Sequence, residues 1–310
     1  MTFPARFTSA LEVVQAIRNG PSCAVLVEGE EQASDAWVLR YVLKDSLSEE
    51  VTFHGRDGRS NLLKELPDFV ARLPADKVSA IVDRDFTEPA IVERTYPPDY
   101  AGHLFYWRRY CIENYLLEPA WIAEAVEEFY MHEPDRIPLS LRTAEAAEKF
   151  LLNLAQRLSP QIAGNWVIAD LSRQTIQRGL TVEARQYFDD LTDRDATWVL
   201  LELSRNYGGW GGTHPDLFSA EALKTRFDNR LAIVAAKAQT LSGAHEVISG
   251  KTLLKALYIE LPTGQKPGKD YLRNRLVRMA SKQVPDDIRI LVAERIVPRW
   301  RRAREGPVTT

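Results

Sequence analysis

The stretch SAIVDRDF, Ser79 to Phe86, decides the fold of the first third of the chain. Its apolar run, residues 80–82, leads directly into Asp83 and Asp85. Uninterrupted apolar runs are typical of strands buried on both faces of a parallel sheet. If the strand continued through the aspartates, their side chains would point to one side, and two carboxylates roughly 4 Å apart repel by about 4 kcal/mol at an effective dielectric constant near 20. The stretch therefore predicts a buried strand that ends in an acidic site.

Strands and helices alternate on both sides of this stretch. A helix is predicted over residues 34–46, with Ser34 as its N-cap, and another over residues 60–73, which Pro67 is expected to kink or interrupt. Alternation of this kind indicates an α/β fold, with a parallel sheet flanked by helices. The other predicted strands are CAVLVEG (23–29), EVTFHG (50–55) and HLFYW (103–107).

The pattern becomes helical after a boundary predicted near Glu118. We expect a domain at residues 15–118, an added helical region at 119–245 and a C-terminal segment at 246–310 that ends in a basic tail. The stretches with helical spacing are WIAEAVEEFYMH (121–132), LRTAEAAEKFLLNLAQRL (141–158), VEARQYFDDL (182–191), DATWVLLELSRN (195–206), SAEALKTRFDNRLAIVAAKAQTL (219–241) and GKTLLKALYIEL (250–261).

Composition narrows the class of protein. With 310 residues, 45% of them hydrophobic and 27% charged, the chain has the profile of a globular protein. We expect no membrane association, since no apolar run approaches the roughly 18 residues of a membrane span and no signal-type segment opens the sequence. Cys23 and Cys111 provide neither a disulfide framework nor paired-cysteine zinc spacing, which favours a reduced, cytoplasmic location.

The charge is concentrated at the C-terminal end. The chain has a net charge of −3, yet residues 266–304 contain twelve Lys and Arg against four Asp and Glu. A basic segment indicates an anionic partner such as nucleic acid, bound through Arg299, Arg301 and Arg302 with Trp300 stacked on a base. The alternatives are a solvated helical face or a segment that docks on the acidic remainder of the chain. For Trp300, the alternative is a surface helix with its ring packed inward.

Further carboxylates are expected to meet at one edge of the predicted sheet. Glu28 ends the first strand, and Glu113 follows the fourth. Since the carboxyl ends of parallel strands share an edge, these groups should converge there with Asp83 and Asp85. Oxygen ligands favour Mg²⁺ or Mn²⁺, so the pattern predicts a site for one of these cations. The alternative for the aspartates is a strand-end turn in which they accept hydrogen bonds from backbone N–H groups.

The order of these motifs resembles the OLD-like TOPRIM nucleases of phage-defence operons, among them the TOPRIM effectors of PARIS-type systems. The resemblance rests on Glu28-Gly29 after the first strand, DRD at residues 83–85 after the third, IENYLL at 112–117 and GKTLLKAL at 250–257. It implies a TOPRIM-like fold and a metal-dependent nuclease. It also implies a role for each of several residues.

Those roles follow the motifs. The resemblance makes Glu28 a metal ligand or general base, Asp83 and Asp85 paired ligands, and Glu113 a further acidic ligand. The second acid of the first motif is left open among Glu30, Glu31 and Asp35.

Lys251 is the last residue to which the resemblance gives a role. It would stabilise the pentavalent phosphate, and the alternative is a plain helix start capped by Ser249 or Gly250. SGKT, residues 249–252, is not a phosphate-binding loop, because His245 stands where that motif requires glycine.

The biology implied by the resemblance is that of a toxic effector. It would be silent while bound to an ABC-type or AAA-type ATPase and would cleave nucleic acid when released, with host tRNA favoured over DNA. Homodimerisation is left open. Two alternatives remain from the sequence: a protein that binds nucleic acid without cleaving it, and a regulatory subunit of an ATPase complex.

Overall fold

A computed structural model describes residues 10–29, 35–180, 187–188, 191–262 and 268–305. The chain forms two compact units, one from Met1–Leu116 together with Asp270–Thr310 and the other from Leu117–Lys269. The first unit contains the sheet, and the described part of the second is helical. Residues 270–310, predicted within a separate C-terminal segment, thus belong to the same compact unit as the sheet.

The sheet has four strands, and all of them are parallel. They are β1 (Cys23–Glu28), β2 (Val51–Arg56), β3 (Val78–Val82) and β4 (Leu104–Tyr106), in the spatial order β2-β1-β3-β4. In the register, Leu26 lies opposite His54 on one side and Ala80 on the other. All four predicted strands are confirmed, and the fold is α/β, with a parallel sheet flanked by helices.

Helices cover the sheet because its central strands, apart from Glu28 and Ser79, are apolar. The first part of the unit contributes α1 (Ala10–Asn19), α2 (Asp35–Val42), α3 (Lys44–Leu47), α4 (Gly58–Arg72) and α5 (Pro89–Glu93). One face of β1 and β3 packs in a buried cluster with α1 and α4, in which Leu26, Leu62 and Phe69 are at most 1% exposed. Burial of a side chain of this size stabilises the fold by about 2 kcal/mol.

Pro67 was expected to kink or to interrupt α4, and it does not interrupt the helix. The helix is continuous from Gly58 to Arg72 with the proline inside it. Proline removes one hydrogen bond from the helix, while Leu62, Leu66 and Phe69 remain buried on the side that faces the sheet. Burial of these apolar side chains offsets the lost bond.

The second unit is built around one long helix. It contains α6 (Pro119–Phe129), α7 (Ala144–Gln177), α8 (Ala196–Tyr207), α9 (Pro215–Phe218), α10 (Ala220–Lys237), α11 (Leu241–Val247) and α12 (Gly250–Glu260). Helices α6, α8, α10 and α11 all pack on α7. The predicted helix at 182–191 falls mostly outside the described residues, which include only Tyr187, Phe188 and Leu191 of that stretch.

The basic C-terminal segment returns to the sheet. It comprises α13 (Lys269–Lys282), α14 (Asp286–Arg289), a π-helix (Ile290–Ile296) and α15 (Val297–Glu305), and the last three run without a break. Within the described ranges, no helix is both long and apolar enough to cross a membrane.

Helix α15 docks at the amino ends of the strands. Trp300 is only 8% exposed, and the ammonium of Lys77, the residue before β3, lies 5.5 Å from its ring centroid. Arg299 pairs with Asp76 and donates to the Gly102 carbonyl oxygen at 2.5 Å, while Arg301 pairs with Glu50. Of the two alternatives for Trp300, inward packing is therefore the one observed.

Arg299 offers a direct test of this docking. Replacing it with Ala leaves Asp76 and three backbone carbonyl groups without their donor, and we expect the free energy of unfolding to fall by about 2 kcal/mol. Urea denaturation measures the change. The control is Arg278→Ala on α13, where the side chain is exposed and the expected change is within about 0.5 kcal/mol. Equal stability of the two variants would contradict the docking.

Candidate functional site at the carboxyl edge of the sheet

The site lies where the strand order reverses. The chain leaves β1 towards β2 on one side and returns to β3 on the other, and ligands of open α/β sheets bind in the crevice at such a point, beyond the carboxyl ends of the strands. Glu28 is the last residue of β1, and Asp83 follows directly after β3. The Asp83 backbone N–H donates a hydrogen bond of 3.0 Å to Glu28 Oε1. The structure therefore brings these two predicted residues together.

The two aspartates do not share a strand face, so the expected alternation does not extend to them. Strand β3 ends at Val82, and Asp85 adopts the left-handed region with φ of 46°. Aspartate tolerates that region better than most residues do. Asp83 is 4% exposed, whereas the Asp85 side chain is 38% exposed. The turn at Asp85 separates the environments of the two carboxylates.

Arg59, near the start of α4, organises this turn. Its guanidinium donates to the Asp83 carbonyl oxygen at 3.3 Å, to Asp85 Oδ2 at 3.3 Å and to Thr87 Oγ1 at 3.2 Å. It also lies 5.6 Å from the centroid of the Tyr106 ring. Asp85 thus has a protein counter-ion, and part of the predicted carboxylate repulsion is offset by arginine.

Glu113 lies in a second group, formed with residues from both ends of the chain. It belongs to a 3₁₀ helix (Ile112–Leu116) and is 5% exposed. Its Oε1 is 3.8 Å from Arg273 Nη2, and the Arg273 guanidinium lies 5.5 Å from the centroid of the Trp37 ring on α2. Its Oε2 is buried and accepts no hydrogen bond from the described residues. A buried carboxylate oxygen without a donor is costly, so this atom retains the capacity to accept a hydrogen bond from a ligand.

Buried polar contacts fix the loop that connects β4 to Glu113. Arg84, 3% exposed, donates to the Arg108 carbonyl oxygen at 2.7 Å, and Asp287 of α14 contacts both Arg108 and the Tyr115 hydroxyl. Burial raises the pKa of Tyr115 well above its usual value, which keeps the hydroxyl protonated and able to donate. The carboxyl edge is therefore braced by the C-terminal segment.

The remaining predicted residues lie elsewhere. Asp35 is the first residue of α2 and 5% exposed, whereas Glu30 and Glu31 lie outside the described residues. Lys251 belongs to the second unit, where it is exposed in the first turn of α12, with Ser249 at the N-cap position.

The three predicted nucleic-acid-binding arginines also differ in their surroundings. Arg299 and Arg301 are paired with acidic residues at the amino edge of the sheet. Arg302 is exposed.

Two residues of this edge have the donor chemistry that a divalent cation requires. Across the described ranges, no three His, Cys, Asp or Glu side chains form a group that could hold a metal ion. Glu28 and Asp83 nevertheless supply carboxylates at the same point of the sheet, and Mg²⁺ is usually held by one or two carboxylates together with water. The donor chemistry of this pair fits Mg²⁺ or Mn²⁺, while Asp85 and Glu113 face arginines.

Arg59 and Arg273 are the residues that motif reasoning missed. A signal for Arg59 was available, since it follows β2 by three positions and topology places it at the same edge as Glu28. Arg273 carries no local signal, because its partner Glu113 is 160 positions earlier in the chain. Only the packing of α13 reveals that contact.

Comparison with models of known protein families finds none that matches this chain, and comparison with curated proteins finds no significant relative.

Arg59→Met tests whether Asp85 belongs to a cation site. The substitution removes the positive charge beside Asp85, so any Mn²⁺ that uses this carboxylate should bind more tightly. We expect calorimetric titration to show at least a threefold gain in affinity. The control is Arg72→Met at the other end of α4, whose guanidinium pairs with Asp68, and it should bind Mn²⁺ as the unmodified protein does. Unchanged affinity in Arg59→Met would exclude Asp85 as a ligand.

Proposed function

We propose that this chain is a metal-dependent, TOPRIM-like nuclease whose active site is the carboxyl edge of the sheet. The observation that carries the proposal is the contact between Glu28 and Asp83 at the point where the strand order reverses. It is supported by the order of the motifs around these two residues, which resembles that of OLD-like TOPRIM nucleases.

Glu28 and Asp83 would hold the cation. A bound Mg²⁺ or Mn²⁺ supplies Lewis-acid stabilisation of a phosphate oxygen and lowers the pKa of bound water. The hydrogen bond from the Asp83 backbone positions the Glu28 carboxylate at this edge of the sheet. Glu28 is accordingly proposed as ligand or general base.

Arg59 and Arg273 would bind the phosphate groups of the substrate. Their side chains are 28% and 20% exposed, so each remains accessible although it already contacts a carboxylate. Guanidinium groups bind phosphate through two parallel hydrogen bonds. The role that the motif resemblance gives Lys251, stabilising the charge on the phosphate during cleavage, stays a prediction.

The proposed biological role is that of a cytoplasmic defence effector. By resemblance, an ABC-type or AAA-type ATPase holds it silent, and release leads to cleavage of nucleic acid, for which host tRNA is the favoured substrate. Arg302, exposed on α15, remains available for contact with nucleic acid, whereas Arg299 and Arg301 are held by acidic residues. Homodimerisation is compatible with this role.

One observation favours a second candidate, a regulatory or nucleic-acid-binding subunit without catalysis. Arg59 pairs with Asp85, and Arg273 lies beside Glu113. Arginine therefore compensates two of the four predicted ligands without a metal. In this second candidate, the same edge would bind phosphate groups through its arginines and cleave nothing.

Glu28→Gln separates the two candidates. Glutamine keeps an oxygen that can accept the Asp83 N–H, so the melting temperature without metal should be equal or higher, because a negative charge beside Asp83 is removed. Cleavage of nucleic acid and toxicity to cells should both be lost, by at least a hundredfold in rate, because the cation loses a ligand. Thermal unfolding and a cleavage assay with Mg²⁺ measure the two effects.

The matched control is Glu49→Gln, an exposed glutamate of the same unit, which should cleave at the normal rate. Full activity in a folded Glu28→Gln protein would refute the proposed site. Binding of nucleic acid that is independent of metal and survives in Glu28→Gln, without cleavage by the unmodified protein, would support the second candidate.

The substrate is tested with the purified chain, incubated with tRNA and with DNA. We expect tRNA fragments to accumulate only when Mg²⁺ or Mn²⁺ is present, and chelation should stop the reaction, because the carboxylates of the site alone do not activate water. Gel electrophoresis detects the products. If DNA is cleaved while tRNA stays intact, the proposed nuclease activity stands and the proposed preference for tRNA is wrong.

A further inference from the structure

A cleft of about 190 Å³ opens beside the edge strand β4, between the loop that precedes it and the C-terminal helical segment. Its walls consist of apolar rings and arginine side chains. The residues that line it are Pro97, Pro98, Tyr100, Phe105, Glu294, Arg295, Pro298, Arg299 and Arg302. Typical ligand sites likewise combine apolar and aromatic walls with a few charged groups.

The apolar wall is rigid. The Tyr100 hydroxyl donates to the Leu104 carbonyl oxygen at 2.7 Å, and its ring packs edge-on against Phe105, with centroids 5.3 Å apart. Burial raises the pKa of Tyr100, so the hydroxyl keeps its proton and this hydrogen bond. Pro97, Pro98 and Pro298 add ring surfaces that change little in conformation. A flat ligand ring could therefore pack here without reordering the protein.

The arginines of the cleft are not equivalent. Arg299 is neutralised by Asp76, and Glu294, the single carboxylate among the lining residues, pairs with Arg289. Arg295 and Arg302 make no hydrogen bond or ion pair with any described side chain, and Arg295 Nε is buried without an acceptor. Two guanidinium groups in one cleft thus lack a counter-ion in the described part of the chain.

The helical geometry places these groups on one side. Arg295, Arg299 and Arg302 are spaced by four and three residues along a continuous helical segment, which puts them on a common face. Arg295 lies in the π-helix Ile290–Ile296, and short π-helical segments are frequent at functional sites because they redirect side chains locally. Here the segment carries the partly buried guanidinium of the cleft.

We propose that this cleft is a binding site for a small phosphorylated ligand, of the nucleoside monophosphate class. Arg295 and Arg302 would bind the phosphate through bidentate hydrogen bonds, while the proline and aromatic rings would contact the base. The volume corresponds to about six water molecules, which suits one phosphate and an attached ring that extends into the open mouth. The site is separate from the carboxyl edge that contains Glu28 and Asp83.

The proposal is tested by calorimetric titration of the full chain with AMP, inorganic phosphate and adenosine. AMP should bind with a stoichiometry of one, more tightly than phosphate, and adenosine should bind most weakly because it lacks the charged group. Arg295→Gln and Arg302→Gln should each weaken AMP binding at least tenfold. Arg278→Gln, an exposed arginine of the same unit outside the cleft, should bind as the unmodified protein does.

Three results would overturn the proposal. The first is no binding of AMP or phosphate at millimolar concentration. The second is AMP binding that persists in both Arg295→Gln and Arg302→Gln. Loss of binding in Arg59→Met but not in these two variants counts equally, since the ligand would then occupy the carboxyl edge. The third is that oligonucleotides alone bind in an arginine-dependent way, which would make the surface a nucleic-acid contact. If Arg295→Gln does not fold, the exposed Arg302 carries the comparison by itself.

Discussion

Burial of both faces of the parallel sheet is the constraint on which the rest of the first unit depends. Residues 23–27 of β1 and all of β3 are buried, and parallel sheets of this kind have to be covered by helices on both sides. The charged groups of the central strands then lie where those strands begin and end. The carboxyl edge collects Glu28, Asp83 and Asp85, and the amino edge collects Glu50, Asp76 and Lys77.

The C-terminal segment joins these two edges. Asp287 contacts Arg108 and Tyr115 just beyond β4, and Arg299, twelve positions later, reaches Asp76 and Gly102 before β3 and β4. Part of the positive charge of this segment, which suggested a nucleic-acid partner, is therefore used within the protein. An arginine that donates to a carboxylate and to several backbone carbonyl groups stabilises the docked helix more than a lone surface ion pair does.

The sequence predicted features that depend on neighbouring residues better than contacts between residues far apart in the chain. Apolar runs and alternation predicted all four strands, because burial in a parallel sheet leaves a local mark on composition. The contact of Glu28 with Asp83 followed from the topology of strand ends. The environment of Asp85 did not, because its left-handed conformation depends on a turn that contacts Arg59 and Tyr110. The pairing of Glu113 with Arg273 had no local signal either, since it arises from packing between distant segments.

The arginines also reduce the repulsion among the carboxylates at the carboxyl edge of the sheet. A cation is one solution and a guanidinium is another, and the two can coexist when each compensates different carboxylates. At this edge, Arg59 pairs with Asp85 and Arg273 lies beside Glu113, whereas the proposed cation would be held by Glu28 and Asp83. One metal ion with two protein carboxylates and several waters satisfies that arrangement. A second ion would have to displace Arg59 from Asp85 or Arg273 from Glu113. On electrostatic grounds, the proposed site would therefore hold one ion more readily than two.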